Sequence, residues 1–318
     1  MPGRSRVVIT GGSGFLGSHL CESFLRRGHE VICVDNMLTG VPDNIEPSRS
    51  FEGFTLVEAD ITVPLRVEGP VDAVLHLACP ASPLDYMKWP LETLYAGSAG
   101  TRVALDLAYE KGAKFLLASS SEVYGDPLVH PQPETYWGNV NPIGPRSSYD
   151  ESKRFGEALT VAYRDSRGVD CRIARIFNTF GPRMRRDDGR MIPTFIDQAI
   201  TRQPITVTGD GKQTRTLCYV SDTVEGITRL LDHPERILSP VNIGGRREMN
   251  VLETAEIIKR FTNSSSPIKF VPRMRDDPQV RSPDLTLAGS ILGWAPKVHL
   301  EDGIRKTIDW FSGGQARV

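Results

Sequence analysis

Short apolar runs alternate with helical patterns along the first half of the chain. The run at 7–9 predicts a buried strand, and Leu16, Leu20 and Phe24 then share one face of a helix. Gly28 ends that helix. Further strands are predicted at 31–34, 55–58, 73–77, 115–118 and 171–177, with helices near 98–111 and 148–167. Strands that alternate with crossover helices predict a doubly wound parallel α/β sheet, covered on both faces.

The pattern changes after residue 177. Helices near 192–202, 222–232, 251–262 and 300–311 are interleaved with short strands at 205–208, 241–243 and 268–271. This arrangement predicts a smaller lobe at the carboxyl edge of the sheet, where ligands bind in such folds. We therefore expect a nucleotide-binding domain over 1–177 and a mainly substrate-binding lobe over 178–318, part of which returns to the core.

Composition narrows the class of protein. With 318 residues, 39% hydrophobic and 24% charged, the chain is typical of a globular protein, and its net charge of -1 argues against nucleic acid as a partner. Five cysteines without a C-x-x-C pair indicate reduced thiols, and six dispersed histidines give no metal-ligand spacing. No segment is apolar enough to span a membrane, and no signal peptide precedes the first strand, so we expect a cytoplasmic protein.

A glycine-rich turn joins the first strand to the first helix. Gly11, Gly14 and Gly17 suit a Rossmann-type dinucleotide site, in which the backbone approaches the pyrophosphate at a helix N-terminus. Asp35, at the end of the second strand, would accept from the ribose hydroxyls and repel a 2′-phosphate, which favours NAD over NADP. The alternative is a plain strand–helix turn. Asp60, after the third strand, suits either an adenine contact or a solvated loop.

A tyrosine and a lysine lie four residues apart on the predicted helix near 148–167. Tyr149 and Lys153 therefore project from one face, where the ammonium group would lower the pKa of the phenol and make it usable as a base. The pair could also be merely exposed and amphipathic. A strand that ends at residues 119–121 in three serines strengthens the catalytic interpretation, because their hydroxyls would hold a substrate oxygen.

Together these motifs resemble the extended short-chain dehydrogenase/reductase superfamily. Longer strings narrow the likeness to the UDP-glucuronic acid decarboxylases: H-L-A-C-P-A-S-P from 76, E-T-Y-W-G-N-V-N-P-I-G-P-R-S-S-Y-D-E-S-K-R from 134, and R-I-F-N-T-F-G-P-R-M from 175. The likeness also includes D-D-G-R from 187, G-D-G-K-Q-T-R from 209 and the D-D-P-x-x-R-x-P-D stretch, and it covers nearly the whole chain.

The resemblance implies an NAD-dependent reaction on UDP-glucuronate. The C4 hydroxyl is oxidised while Tyr149 takes its proton, and the resulting β-keto acid loses carbon dioxide. Re-reduction at C4 by the bound NADH then yields UDP-xylose, so the cofactor is regenerated in each turnover. The resemblance further implies a homodimer formed through the helices near 98–111 and 148–167.

Residue roles are also carried over from the resemblance. Dehydratase relatives have T-D-E where this chain has Ser120, Ser121 and Glu122, so the acid for elimination is missing and decarboxylation is favoured. Glu122 is expected near the C5–C6 bond, although it could instead cap the following loop. The implied catalytic set is Tyr149, Lys153, Glu122, Ser120, Ser121 and Arg281.

Two binding sets complete the predicted site. Guanidinium groups at Arg215 and Arg281 suit the diphosphate and the sugar carboxylate, and the backbone of the strand at 205–208 suits the uracil. The expected substrate contacts are Pro80, Glu122, Asn178, Arg190, Thr206, Val207, Arg215 and Arg281. The expected NAD contacts are Gly11, Gly14, Phe15, Leu16, Gly17, Asp35, Asn36, Thr39, Gly40, Asp60, Ile61, Leu77, Ala78, Tyr149, Lys153, Thr179 and Arg183.

Other activities stay open at this stage. The same frame suits a UDP-glucuronate 4-epimerase or a decarboxylase that releases UDP-4-keto-pentose, and a protein that binds NAD without catalysis is a third alternative. One departure from the decarboxylase pattern stands out. Gly97 replaces an asparagine that is frequent in relatives, which puts a supporting contact behind Tyr149 in doubt.

Overall fold

A large parallel sheet organises the computed structural model, which describes residues 4–313. Its strands are β1 (Arg6–Thr10), β2 (Glu30–Asp35), β3 (Phe54–Glu58), β4 (Ala73–His76), β5 (Lys114–Ser120), β6 (Cys171–Ile176) and β11 (Val241–Ile243). They lie in the spatial order β11–β6–β5–β4–β1–β2–β3, and every neighbouring pair is parallel. The predicted doubly wound Rossmann-type sheet is confirmed.

Helices cover both faces of the sheet. The helices of the first half are α1 (Phe15–Arg26), α2 (Pro42–Arg49), α3 (Pro83–Lys88), α4 (Pro90–Tyr95), α5 (Thr101–Lys111) and α6 (Ser147–Arg167). A π-helical turn, Ala96–Gly100, joins α4 to α5, and a 3₁₀ turn, Ser121–Tyr124, follows β5. Successive residues of β5 point to opposite faces: Leu116 packs into the core that contains α1, whereas Phe115 and Leu117 pack into the core that contains α5.

The second half of the chain builds the smaller lobe and completes the sheet. Its helices are α7 (Met191–Ile200), α8 (Val220–Asp232), α9 (Val251–Phe261), α10 (Thr286–Leu292) and α11 (Leu300–Phe311). Its small sheets are formed by β7 (Thr179–Phe180) with β10 (Cys218–Tyr219), by β8 (Ile205–Thr208) with β13 (Ile268–Val271), and by β9 (Thr214–Thr216) between β12 (Glu248–Asn250) and β14 (Val280–Arg281).

One predicted lobe strand belongs to the large sheet. The strand at 241–243 pairs in parallel with β6, and α8 packs against α1, so this part of the chain extends the large sheet and the helical layer that contains α1. A three-residue strand carries no sign of its partner in its own sequence, so the pattern alone did not specify this pairing. The division of the chain at residue 177 stays a prediction. None of the helices within residues 4–313 combines the length and apolar character of a bilayer span.

Candidate active site

A cavity of about 350 Å³ opens at the carboxyl ends of the central strands, between the sheet and the smaller lobe. All but four of the predicted site residues line it. The predicted residues that line it are Gly11, Gly14, Phe15, Leu16, Gly17, Asp35, Asn36, Thr39, Gly40, Asp60, Ile61, Leu77, Ala78, Pro80, Ser120, Ser121, Glu122, Tyr149, Lys153, Asn178, Thr179, Arg183 and Arg190. Thr206, Val207, Arg215 and Arg281 are not among its lining residues.

The glycine turn forms the floor of this cavity. The Gly11 N–H donates to the Val34 carbonyl at 2.8 Å, and the Gly14 N–H donates back to the Gly11 carbonyl at 3.2 Å. Helix α1 begins directly after it, at Phe15, so its N-terminal N–H groups face the cavity. A side chain at position 17 would overlap the carbonyl oxygen of Gly11. Only glycine therefore lets this helix start so close to the strand.

Asp35 is held beside the turn by the backbone. Its carboxylate accepts hydrogen bonds of 2.9 Å from the N–H of Ser13 and from the N–H of Met37. Burial raises the pKa of Asp35, and these two backbone hydrogen bonds oppose the rise. The side chain is 8% exposed and lines the cavity at the end of β2. This is the position from which a carboxylate accepts hydrogen bonds from ribose hydroxyls.

Arg183 provides an independent test of whether the cavity suits a dinucleotide. One of its terminal nitrogens, Nη2, pairs with Glu22 of α1. The other, Nη1, is buried and has no hydrogen-bond partner within residues 4–313. A buried, unsatisfied guanidinium N–H in the wall of a cavity fits an anionic group such as a pyrophosphate. The residues present thus fit NAD.

Tyr149 and Lys153 lie side by side in the first turns of α6. The Lys153 ammonium nitrogen is 5.5 Å from the centre of the Tyr149 ring and donates to the Ala118 carbonyl at 2.9 Å. On its other side, the Tyr149 ring stacks on Tyr86, with 5.2 Å between ring centres. Both helix positions face the cavity, as their four-residue spacing predicts.

The acidity of Tyr149 differs from the expectation. Burial raises the pKa of Tyr149, and the lowering effects of Lys153 and of a hydrogen bond with Ser120 do not cancel it. The predicted net fall in this pKa is therefore wrong for the protein by itself. The reason is physical: a phenolate loses more hydration in this enclosed position than one nearby ammonium restores.

The three serines at the end of β5 have separate partners. The Ser119 hydroxyl donates to Glu157 at 2.6 Å, and the Ser120 hydroxyl accepts from the Glu122 N–H at 3.2 Å. Ser119 is thereby committed to a structural contact. All three serines line the cavity, and Ser120 also forms a hydrogen bond with Tyr149.

Glu122 lies between two buried arginines. Arg281 pairs with both carboxylate oxygens, with Nη2 at 2.7 Å from Oε2, and Arg146 Nη2 is also 2.7 Å from Oε2. Burial alone would raise the pKa of Glu122, but the positive charges of Arg281 and Arg146 hold it well below its usual range. Glu122 is therefore an ionised carboxylate at the cavity wall, and its side chain pairs with two arginines.

A second carboxylate extends this ion cluster. Arg215 Nη2 pairs with the oxygens of Asp277 at 3.1 and 3.0 Å, and Arg146 Nη1 lies 3.8 Å from the same group. Asp150 is buried nearby, where burial and the charge of Glu122 raise its pKa to about 8. Arg273 Nε also lies 3.6 Å from Asp277 Oδ2, so four arginines face the carboxylates of Glu122 and Asp277. Glu122 is the member of this cluster that lines the cavity.

Arg146 and Asp277 are members of this cluster that were not predicted as site residues. Arg146 stands three residues before Tyr149 within the quoted P-R-S-S-Y string, and Asp277 lies in the D-D-P stretch. Their positions within resembling strings were the available signal, but nothing in the local pattern indicates that they meet. The strand at 205–208 differs from expectation as well: the Thr206 N–H already donates to the Gln198 side chain at 2.9 Å, and Val207 is fully buried.

Comparisons with known proteins agree with this geometry. The profile of the NAD dependent epimerase/dehydratase family matches residues 7–244. UDP-glucuronic acid decarboxylase 1 of Danio rerio is 51% identical over 309 residues, which are 97% of this chain and 73% of that protein. The chain therefore belongs to the NAD dependent epimerase/dehydratase family, and within it to the UDP-glucuronic acid decarboxylases.

Solved structures share the whole fold. The UDP-glucuronic acid 4-epimerase of Bacillus cereus, in complex with UDP-glucuronic acid and NAD, is 25% identical, has a TM-score of 0.86 and aligns over 97% of this chain and 99% of its own. DesIV, a dTDP-glucose 4,6-dehydratase from Streptomyces venezuelae with NAD and TYD bound, is 26% identical, has a TM-score of 0.89 and aligns over 97% of both chains.

Proposed function

We propose that this protein binds NAD and converts UDP-glucuronate to UDP-xylose with release of carbon dioxide. The observation that carries the proposal is the ionised Glu122 between Arg281 and Arg146, in the same cavity wall as Tyr149. Relatives about 50% identical to this chain are named UDP-glucuronic acid decarboxylases, which supports a sugar nucleotide with a carboxylate as the substrate.

The first chemical task falls to Tyr149. Bound NAD would supply a hydride acceptor at C4 of the sugar and a donor for the return step. Tyr149 takes the C4 hydroxyl proton as general base and later gives it back. Lys153, whose ammonium nitrogen is 5.5 Å from the centre of the Tyr149 ring, stabilises the phenolate. The Ser120 hydroxyl orients the reacting oxygen. The glycine turn, Asp35 and Arg183 would hold the dinucleotide.

Loss of carbon dioxide follows from the ketone at C4. The bond between C5 and C6 breaks, its electron pair moves to the C4 carbonyl, and C5 is then protonated. Glu122 favours this step because a second carboxylate beside the C6 carboxylate is electrostatically unfavourable, while neutral carbon dioxide is not. Arg281, which pairs with both oxygens of Glu122, helps to keep this carboxylate ionised.

A product assay tests this proposal. The purified chain is incubated with NAD+ and UDP-glucuronate, carbon dioxide is trapped, and the sugar nucleotide is identified. We expect equal amounts of carbon dioxide and UDP-xylose without net NADH, and none from Tyr149→Phe, which removes the hydroxyl alone. Formation of the C4 epimer without carbon dioxide would identify an epimerase instead.

Glu122→Gln separates the carboxylate's charge from its shape. Removing one group that acts only on the decarboxylation step is expected to lower kcat by about 100-fold, the usual scale for one positioned acid or base. Oxidation of the sugar at C4 should still reduce the bound cofactor, and this reduction is visible as absorbance of the reduced nicotinamide. An unchanged rate of carbon dioxide release would remove Glu122 from the mechanism.

A further inference from the structure

A segment of the smaller lobe crosses the cavity that would hold the dinucleotide. This crossing segment comprises residues 183–190, and Arg183, Met184, Arg185, Asp188 and Arg190 of it line the cavity. The loop after β2, which includes Thr39, and the start of α3, which includes Asp85, form other parts of the wall. The segment therefore lies where it can cover a ligand that rests on the sheet edge.

The beginning of the crossing segment is anchored to the nucleotide-binding layer. The carbonyl of Pro182 is 3.0 Å from His19 Nε2 of α1, and the carbonyl of Arg183 accepts from the Asn44 side chain of α2 at 3.2 Å. The Arg183 guanidinium is paired with Glu22, also on α1. These three contacts secure the segment along the side of the cavity that carries the glycine turn.

Arg185 connects two other parts of the cavity wall, the start of α3 and the loop after β2. Its Nη2 donates to both carboxylate oxygens of Asp85, in the first turn of α3, at 2.8 and 3.0 Å. Its Nη1 donates to the Thr39 carbonyl at 3.4 Å. The Arg185 side chain is 23% exposed and that of Asp85 is 9% exposed, so the pair is largely shielded from water. The backbone at Gly189 lies against Leu84, beside the same pair.

We propose that the Arg185–Asp85 ion pair closes the crossing segment over the bound dinucleotide and so determines how long the reduced cofactor stays on the protein. This inference rests on the proposed function, because internal recycling requires the reduced cofactor to outlast the decarboxylation step. If the cofactor leaves first, the C4 ketone is released instead of UDP-xylose. Arg185 and Asp85 are thus positioning residues that determine the product.

The experiment measures cofactor release without any sugar nucleotide. Protein loaded with NADH is mixed with excess NAD+, and the loss of protein-bound NADH fluorescence gives the dissociation rate. Truncating one side of a shielded ion pair acts mainly on dissociation, so Arg185→Gln and Asp85→Asn are each expected to speed release by about tenfold or more. The charge-swapped double variant, Asp85→Arg with Arg185→Asp, should restore slow release.

Arg186→Gln is the matched control. Arg186 is the next residue of the segment, but it pairs with Asp197 at 2.8 Å, away from the cavity. Its release rate should equal that of the unmodified protein. If both Arg185→Gln and Asp85→Asn release NADH at the control rate, the inference is wrong. Should Arg185→Gln fail to fold, Asp85→Asn decides the question by the same rate.

Product analysis provides a second readout. With UDP-glucuronate, Arg185→Gln should release a larger share of UDP-4-keto-pentose than Arg186→Gln, in proportion to its faster NADH release. The two proposals can fail separately. A chain that does not decarboxylate UDP-glucuronate contradicts the proposed function, whereas the NADH release rates alone decide whether the ion pair retains the dinucleotide.

Discussion

At the scale of single residues, the balance between burial and charge decides the chemistry of this site. Tyr149 and Glu122 are both buried beside the same cavity, yet burial raises the pKa of the phenol while two arginines lower that of the carboxylate. The difference lies in the number of opposite charges within reach. Glu122 has two guanidinium partners, whereas Tyr149 has one ammonium group, that of Lys153, 5.5 Å from the centre of its ring.

Lys153→Met should therefore change the pH dependence of catalysis. An opposite charge at this distance typically moves a pKa by one unit or more, so the rising limb of the kcat–pH profile is expected to shift about one unit upward. The direction follows because the active form is the phenolate, which is harder to generate without the ammonium. Lys153→Arg keeps the charge and should keep the limb in place. An unshifted limb in Lys153→Met would contradict the assigned role.

Asp150→Asn should stabilise the protein, and only above acidic pH. The pKa of Asp150 in the folded protein is about 8, whereas an unfolded aspartate has a pKa of about 3.9. Between these values the folded state keeps a proton that the unfolded state has lost, so stability falls as pH rises. Asp150→Asn has no carboxyl proton to lose, so the variant does not suffer this fall in stability. Its Tm should exceed that of the unmodified protein increasingly from pH 5 to pH 8.

The adjacent, half-exposed Glu151 supplies the control for this comparison. Glu151→Gln removes a carboxylate of similar chemistry that contacts Arg154 at the surface. Its Tm should follow that of the unmodified protein across the same pH range, because surface ion pairs contribute little. A Tm difference for Asp150→Asn that does not change with pH would contradict the assigned pKa.

The sequence predicted residues that belong to one continuous motif better than residues that meet across the fold. The glycine turn, Asp35 and the Tyr149–Lys153 pair could be identified because each has a fixed spacing from a strand or helix end. Arg146 and Asp277 are 131 positions apart in the numbering and meet only in the folded chain. Their pairing depends on tertiary packing, which no local pattern encodes.

At the scale of secondary structure, the contact of α6 with the π-helical turn positions the catalytic pair. A Cβ on Gly97 would lie 2.8 Å from the Ser152 carbonyl oxygen and 2.9 Å from its Cα, and it would overlap the Ser152 side chain. The glycine that departs from the decarboxylase pattern therefore has a packing role in this chain. It lets the turn approach α6 directly between Tyr149 and Lys153.

Gly97→Ala tests this packing. Forcing a methyl group against backbone atoms typically costs about 1–3 kcal/mol, so we expect a lower free energy of unfolding and a reduced kcat through displacement of α6. Gly289→Ala, in α10, is a matched helical control because a Cβ there lies 4.0 Å from the nearest neighbour. If Gly97→Ala is as stable and active as this control, the contact has no positioning role.

Element prediction succeeded where the pattern was long or strongly apolar. Helix α6 and the strand at 205–208 follow the sequence pattern closely. The short helices α2, α3 and α4 escaped prediction because each has at most eight residues and begins at a proline, so no apolar periodicity develops. These helices nevertheless matter for the site, since α3 carries Asp85 and residues of α4 line the cavity.

At the scale of the whole molecule, the cavity wall continues to a surface that carries exposed apolar side chains. Tyr95, at the end of α4, lines the cavity and is 56% exposed. Further exposed apolar side chains on α4, α5 and α6 are Leu91, Tyr109 and Phe155. Helix α6 also carries Tyr149. We infer that dimerisation through these helices would restrict the motion of α6 and so help to position Tyr149.

Phe155→Glu is expected to convert a homodimer to a monomer. Phe155 lies on α6 and is 50% exposed, and burying a glutamate there against apolar side chains of a second copy is strongly unfavourable. Phe270→Glu, on β13 of the smaller lobe and 53% exposed, is the matched control and should leave the assembly unchanged. Sedimentation velocity at assay concentration distinguishes the Phe155→Glu variant from the Phe270→Glu variant.

A fall in kcat confined to Phe155→Glu would connect assembly to catalysis through α6. An unmodified chain that sediments as a monomer would contradict the predicted dimer.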